Sequence, residues 1–429
     1  MRAESITYDA ESLAAMAWTR IAEGEDVQAV ALTENLGYEG ALSWLKDAMA
    51  GADVPDELRR CVARWSLRCD ENIFERDRKS LAQNIGEPGL IFARPGQLFY
   101  PRELMDLGNM KPLGLWINGN PHILGASTVS MVGSRQASQA GLNIAEDLAY
   151  ELAYRGALVC SGGAFGIDAA AHRGALKAGK PTLSVFASGA DKFYPLSNQE
   201  LFENILSTGG AIISESPPGS TPHRHRFLAR NRIIAALGTA SIIVEAPYRS
   251  GAINTAHHAL NIGREVGALP ERWDNPHYQG SFKLLRNGAT LIRNVEDVVE
   301  LCGWTQGVRQ TVSQQSQSFM KKAEMVGGAG QAEMVGRAGA VEPTNQTNEK
   351  KLDSHLSLDD PMAGNSLAVR VRDALHARLY WPADKIASEA GVSIREALSG
   401  LGLLVMAGIA EESIRGWRLS PNTQRRQNG

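Results

Sequence analysis

The chain is poor in cysteine. Its 429 residues carry four, Cys61, Cys69, Cys160 and Cys302, scattered and without a CxxC pair. That spacing argues against a zinc site and against a disulfide framework, and it fits a reducing, cytoplasmic setting. Long apolar runs are lacking too. The longest, Leu401 to Ala410, falls well short of the ~20 residues needed to cross a bilayer. The N-terminus, MRAESITYDAES, is acidic and has no signal-peptide core. A soluble protein with no membrane partner is expected. Nor is there a surplus of positive charge, with 44 Lys+Arg against 47 Asp+Glu and a formal net charge of -3. Any contact with nucleic acid must therefore come from a local patch. No nucleophile elbow, Walker lysine or carboxylate dyad occurs, and the first Gly-rich loop reads GSRQAS. Because that loop is not GxGxxG, dinucleotide binding is disfavoured.

What is present is organised around residues 128–168. Val129, Met131 and Val132 form an apolar run that ends at Gly133-Ser134-Arg135. Leu142, Ala145, Leu148, Ala149 and Leu152 then recur at helical spacing, and Leu158-Val159-Cys160 leads to a second loop, Ser161-Gly162-Gly163-Ala164. This is a strand-loop-helix-strand-loop unit, the start of a doubly wound parallel sheet. Further strand and helix patterns alternate to about residue 303, with strands at 182–186, 211–214, 241–245, 265–269 and 289–292. The predicted class is α/β, a Rossmann-like doubly wound sheet. Both loops should lie at the carboxyl ends of their strands, where such sheets bind ligands. Backbone N–H groups at a helix start attract an anion, and Arg135 adds a planar cation suited to phosphate. Any nucleotide, sugar phosphate or nucleic-acid backbone satisfies that chemistry.

The flanks differ in kind. Helical spacing over residues 12–69, broken at Gly24, Gly37 and Gly51, predicts a small bundle around Trp18, Trp44 and Trp65. Prolines punctuate 84–120, which should enter the sheet as an edge element. Residues 305–362 are rich in Gln, Ser, Gly and Ala and contain a near-repeat, AEMVGGAGQ then AEMVGRAGA. Such a segment reads as a disordered linker. From residue 366 three helical stretches (367–379, 383–390 and 393–401), a tight AxxAGVS turn and a candidate hairpin over 414–419 predict a winged helix-turn-helix. The linker should leave that module and the central domain uncoupled.

The strongest candidate site is PHRHRFLARNR, residues 222–232, with four arginines and two histidines in eleven residues. No acidic residue occurs between Glu215 and Glu245, so anion binding is favoured over a merely solvated face. On a helix Arg226 and Arg230 share a face, with Asn231 and Arg232 beside them. The i, i+2 spacing of His223 and His225 makes a poor metal site. Ser250-Gly251, ahead of an apolar helix, offers another helix start, serving either an anion or plain capping. Asp168 and His172 lie four apart, with an N-cap and a packing histidine favoured over an acid/base pair.

These residues together resemble the DNA-processing protein A family, also called Smf. The resemblance rests on MVGSR (131–135), SGGAFGID (161–168), AAAHRGAL (169–176), ISE (213–215), RNRIIAAL (230–237), IIVEA (242–246) and SGAINTAHHAL (250–260). It covers roughly residues 91–301. It implies a helical, SAM-like domain over 1–83, a Rossmann-like DNA-binding domain over 84–304 and a winged helix over 363–420. It also implies a single-stranded-DNA-binding recombination mediator that forms homodimers and loads RecA recombinase during natural transformation, with no catalysis and no cofactor. The implied site is Gly133, Ser134, Arg135, Ser161, Gly162, Gly163, Phe165, Arg226, Arg230, Asn231, Arg232, Ser250 and Gly251. Phe165 and Leu196 depart from the family's pattern, and Phe165 offers a ring for base stacking. Two other classes stay open: a phosphoribohydrolase-type enzyme and a winged-helix transcriptional regulator.

Overall fold

The apolar run at 128–132 becomes the centre of a nine-stranded sheet. The computed structural model describes residues 8–72, 74, 75, 77, 89–271, 274–304, 366–376, 379–413 and 416–420. In chain order the strands are β1 (Ile91–Ala93), β2 (Leu115–Gly119), β3 (Thr128–Val132), β4 (Leu158–Ser161), β5 (Thr182–Val185), β6 (Ala211–Ser214), β7 (Ala240–Ile243), β8 (Glu265–Ala268) and β9 (Thr290–Leu291). Their spatial order is β1-β2-β6-β5-β4-β3-β7-β8-β9. From β6 to β9 neighbours run parallel, whereas β1 and β2 add an antiparallel edge. The chain winds outward from β3 through β4, β5 and β6, then returns to the other side of β3 with β7. The order of strands thus reverses between β3 and β7, the place where open α/β sheets hold ligands.

Every residue of β3 is buried, as expected for a parallel strand covered on both faces. One face packs under α4 (Gln139–Tyr154), α5 (Ile167–Lys177) and α10 (Val295–Leu301) through Met131, Leu148, Leu152 and Val298. The other carries α7 (Arg224–Leu237), α8 (Gly251–Asn261) and α9 (Gln279–Arg286) through Ile233, Ala256 and Leu284. The remaining central helix is α6 (Gln199–Ser207).

The N-terminal helices α1 (Ala10–Ile21), α2 (Val27–Met49) and α3 (Asp56–Ser66) form around the expected tryptophans, with Trp18 edge-on to Trp65 at 5.3 Å. Gly37 (φ 72°) breaks α2 where its missing side chain permits a left-handed turn. The bundle does not stand apart from the sheet. Its core is continuous with Phe92, Trp116, Phe186 and Phe202, and the Tyr38 hydroxyl donates to the Leu113 carbonyl at 2.9 Å.

The C-terminal residues form α11 (Ser366–Asp373), α12 (Ala383–Ala390), α13 (Ile394–Met406) and an antiparallel hairpin of β10 (Ala410–Ser413) and β11 (Gly416–Leu419) around a core of their own. The AxxAGVS turn is a left-handed Gly391 followed by a Ser393–Glu396 capping box. Helix α13 runs past its expected end and takes in Leu403-Leu404-Val405, because Gly400 and Gly402 keep helical backbone angles and the next positive φ comes at Gly408. The near-repeat and the linker expected over 305–362 lie outside the described residues. The expected lack of coupling between the two domains meets a plain contact, since the C-terminal unit lies against the loop after β3. Among the described residues no helix is long and apolar enough to cross a membrane.

Candidate nucleic-acid interface

A cleft of about 510 Å³ opens at the β3/β7 reversal. Its walls are the loop after β3, the first turns of α7, the start of α8 and, from α12, Ser388 and Glu389. Backbone bonds hold the first of these loops: the Ser134 N–H donates to the Glu245 carbonyl at 2.7 Å, and the Ser134 hydroxyl accepts from the Gln136 N–H at 3.1 Å. Behind it the buried Glu245 carboxylate accepts from the Ser138 N–H and hydroxyl, which fixes the start of α4. Gly166, rather than Asp168, begins α5. At φ 76°, with the Ser134 carbonyl 2.1 Å from where a Cβ would stand, that position admits only glycine.

The predicted site residues divide into two groups. Gly133, Ser134, Arg135, Arg230, Asn231, Ser250 and Gly251 line the cleft together. The Arg135 and Arg230 guanidinium carbons lie 5.0 and 5.9 Å from the centroid of the Phe227 ring. Arg135 is partly exposed, whereas Arg230 is buried and donates to the Gly162 carbonyl at 2.8 Å and to the Val185 carbonyl. Burial draws the Arg230 pKa down to about 10, against the opposing charge of Asp168. Its Nε has no partner among the described residues. Asn231 ties α7 to α8 by donating to Asn254 at 3.0 Å, and the Ser250 hydroxyl caps α8. The first N–H groups of α8 lack helical acceptors, as at any helix start.

The others work elsewhere. Ser161 spends its hydroxyl on the Met131 carbonyl at 2.6 Å. Gly162 has no side chain because Arg230 lies where a Cβ would be, 2.5 Å away, and the Gly163 carbonyl accepts from Asn198 at 3.0 Å. Phe165 lies beneath the Arg370 guanidinium, 4.7 Å from its ring centroid. Arg226 faces the N-terminal helices and makes a two-pronged pair with Glu23, both contacts at 2.9 Å. Arg232 is wholly buried. It holds Glu215 with two hydrogen bonds, of 2.8 and 2.6 Å, and donates to the Met110 and Ala229 carbonyls. With its donors so engaged, Arg232 is a folding residue and its assignment to a phosphate pocket is withdrawn. Arg226 is likewise set aside, because a carboxylate already holds its fork.

Three cleft residues were not named singly in the sequence reading, although Arg224 and Phe227 lie within the stretch 222–232. Arg224 and Arg249 are exposed, line the cleft and have no ion-pair partner among the described residues. Arg249 adjoins Ser250-Gly251, and that adjacency was its only sequence signal. Phe227 had only its place in the stretch 222–232, being otherwise one apolar residue in a helix.

Asp168 and His172 do not pair. The Ala164 N–H donates to Asp168 at 3.4 Å, and burial raises that carboxyl despite the nearby charge of Arg230. His172 Nδ1 lies 2.8 Å from the Thr182 hydroxyl, whose own proton goes to the Val159 carbonyl, so Nδ1 is the donor. Burial pulls His172 down to about 3, leaving it a neutral packing residue.

Glu23 carries a pH prediction. Burial raises its pKa, but the hydrogen bonds and charge of Arg226, with Arg68, outweigh that and hold it at about 2, below its ordinary 4.5. A depressed carboxylate contributes stability that is complete above its unfolded pKa and is lost as pH falls through the folded one. Glu23→Gln should therefore be less stable than wild type at neutral pH and should lose less between pH 4.5 and 2. Urea midpoints measured across that window would show parallel curves if the pair contributes nothing.

The model of the family described as DNA recombination-mediator protein A matches residues 92–303. The putative DNA processing protein DprA of Mycobacterium tuberculosis (strain ATCC 25618 / H37Rv) is 34% identical over 316 residues, covering 72% of this chain and 69% of the relative. The chain belongs to this family. The protein Smf of Escherichia coli (strain K12) is 37% identical over 238 residues, 55% of this chain and 63% of that protein. The X-ray structure of DprA from Streptococcus pneumoniae superposes with a TM-score of 0.55 at 29% identity, over 69% of this chain and 98% of the other. The family model's span, residues 92–303, takes in strands β2 to β9 and the loops that form the cleft. Among the described residues no group of three or more His, Cys, Asp or Glu side chains is placed to hold a metal.

Proposed function

We propose that the cleft grips the phosphates of single-stranded DNA, and that the protein is a recombination mediator. In this reading it protects incoming strands and loads RecA recombinase during natural transformation, acts as a homodimer and catalyses no reaction. One observation carries the DNA part. Arg135, Arg224 and Arg249 ring a cleft whose wall also offers the α8 start and the Phe227 ring. Separated cations suit a chain of phosphates, and an aromatic ring suits an unpaired base. The lack of an acid/base pair at Asp168 and His172 supports a binding role over hydrolysis.

Competition against a fluorescent oligo-dT, at stated salt, tests this. Unlabelled single strand should displace the probe, while duplex and nucleoside monophosphates should compete poorly. The logarithm of affinity should fall with log salt by ~0.7 per phosphate contact. Equal competition by a monophosphate would favour a phosphoribohydrolase-type site, and stronger competition by duplex a winged-helix regulator.

A further inference from the structure

The C-terminal unit covers the cleft with groups that imitate a nucleic acid. Glu389 of α12 places Oε2 2.9 Å from Arg135 Nη1, the position a phosphate oxygen would take on that guanidinium. Gln136, next in the loop, donates to the carbonyls of Ala387 and Val392 at 3.1 and 2.8 Å. The flat Arg370 guanidinium lies over Phe165 at 4.7 Å, as a stacked base would. In the segment after β5 the Leu196 N–H donates to Asp373 at 2.9 Å, and the Asp373 carbonyl accepts from the Tyr194 hydroxyl at 2.7 Å. Gly391 fits so closely that a Cβ there would meet the Arg135 carbonyl oxygen at 2.7 Å.

The C-terminal unit thus meets the sheet domain at four separate points, and one of them, Arg135, is DNA-facing in the proposed function. A carboxylate and a phosphate cannot share one guanidinium edge at these distances. Closure and strand binding therefore compete for Nη1 of Arg135.

We infer that the C-terminal unit is an autoinhibitory cover, with Glu389 as a phosphate mimic that single-stranded DNA must displace. The inference rests on the proposed DNA reading. It predicts that the apparent affinity of the full chain is the intrinsic affinity reduced by the fraction of open molecules. A cover closed in ~90% of molecules weakens binding about tenfold.

The test is Glu389→Gln in the full chain, read by oligo-dT binding and by amide hydrogen exchange. Glu389 is partly exposed and its ion pair is with Arg135, so this change leaves the arginines of the cleft and Phe227 intact. Glu412→Gln, on the exposed hairpin, makes the same change of charge away from the cleft and serves as control. Glu389→Gln should bind oligo-dT about tenfold more tightly. Without DNA its segments 194–198 and 387–392 should exchange faster than in wild type, and wild type should show the same loosening once DNA is added. Glu412→Gln should do neither.

Unchanged or weaker binding by Glu389→Gln, or an equal gain in Glu412→Gln, overturns the inference. Faster exchange without tighter binding also overturns it, because the contact would then not compete with DNA. If no variant binds oligo-dT, the proposed function fails and this inference fails with it. If wild type binds and Glu389→Gln gains nothing, only the cover fails.

Discussion

Arg232→Ala is expected to cost about 3–5 kcal/mol of stability, the usual consequence of stranding one partner of a buried ion pair. Arg232 has no exposed surface, and both of its terminal nitrogens hold Glu215. Its Nε also satisfies the Met110 carbonyl, so removal leaves a carboxylate and a backbone oxygen without donors. At ~2–4 °C per kcal/mol for a chain segment of this size, the melting temperature should fall by roughly 6–20 °C. Most of that loss belongs to the abandoned Glu215 charge. Arg232→Met combined with Glu215→Met should therefore recover a substantial part of it. The folded fraction of Arg232→Ala should bind oligo-dT with the wild-type salt slope. Thermal and urea unfolding check the first part and salt titration the second. A loss of stability under about 1 kcal/mol would contradict the structural role.

The second large effect is on DNA affinity. Arg135→Ala and Arg249→Ala should each weaken oligo-dT binding by ~1.5–3 kcal/mol, the range for hydrogen bonds to charged groups. Each should also lower the salt slope by ~0.7. The losses should be nearly equal across base sequences, since phosphates carry no sequence information. Arg135 holds the cover as well as the proposed strand, so its removal opens the cleft while weakening it. Measuring both substitutions in the Glu389→Gln background separates these effects, and there the double variant should lose the sum. Wild-type affinity and salt slope in the double variant, with unchanged circular dichroism, would refute the phosphate cleft. Arg226→Ala, whose side chain is engaged with Glu23, should leave the slope unaltered.

The contrast among the arginines of 222–232 shows how far the sequence reached. That this stretch is helical, and that the glycine-rich segments are loops after parallel strands, followed from period and spacing. Which arginine faces the cleft did not. Arg226 is held by a carboxylate 203 residues away in the chain, and Arg232 by one 17 residues away. No window of helical periodicity contains either partner. Arg249 went unnoticed because its value comes from lining the same cleft as Arg135, more than a hundred residues earlier, across the strand-order reversal.

By itself the sequence determined the strands and helices of the central sheet, the two Gly-rich loops at their carboxyl ends, the break at Gly37 and the turn at Gly391. Each of these depends on local properties: the alternation of apolar residues, the capping of a helix start, the backbone freedom of glycine. The tertiary structure alone decided three matters. The N-terminal bundle shares the sheet's core, Arg232 is a buried strut rather than a ligand contact, and the C-terminal unit rests on the cleft through Glu389 and Arg370. These rest on pairings of opposite charge and of exposed faces between distant segments. Such pairings acquire their energy only when folding removes both partners from water and sets them within hydrogen-bonding distance.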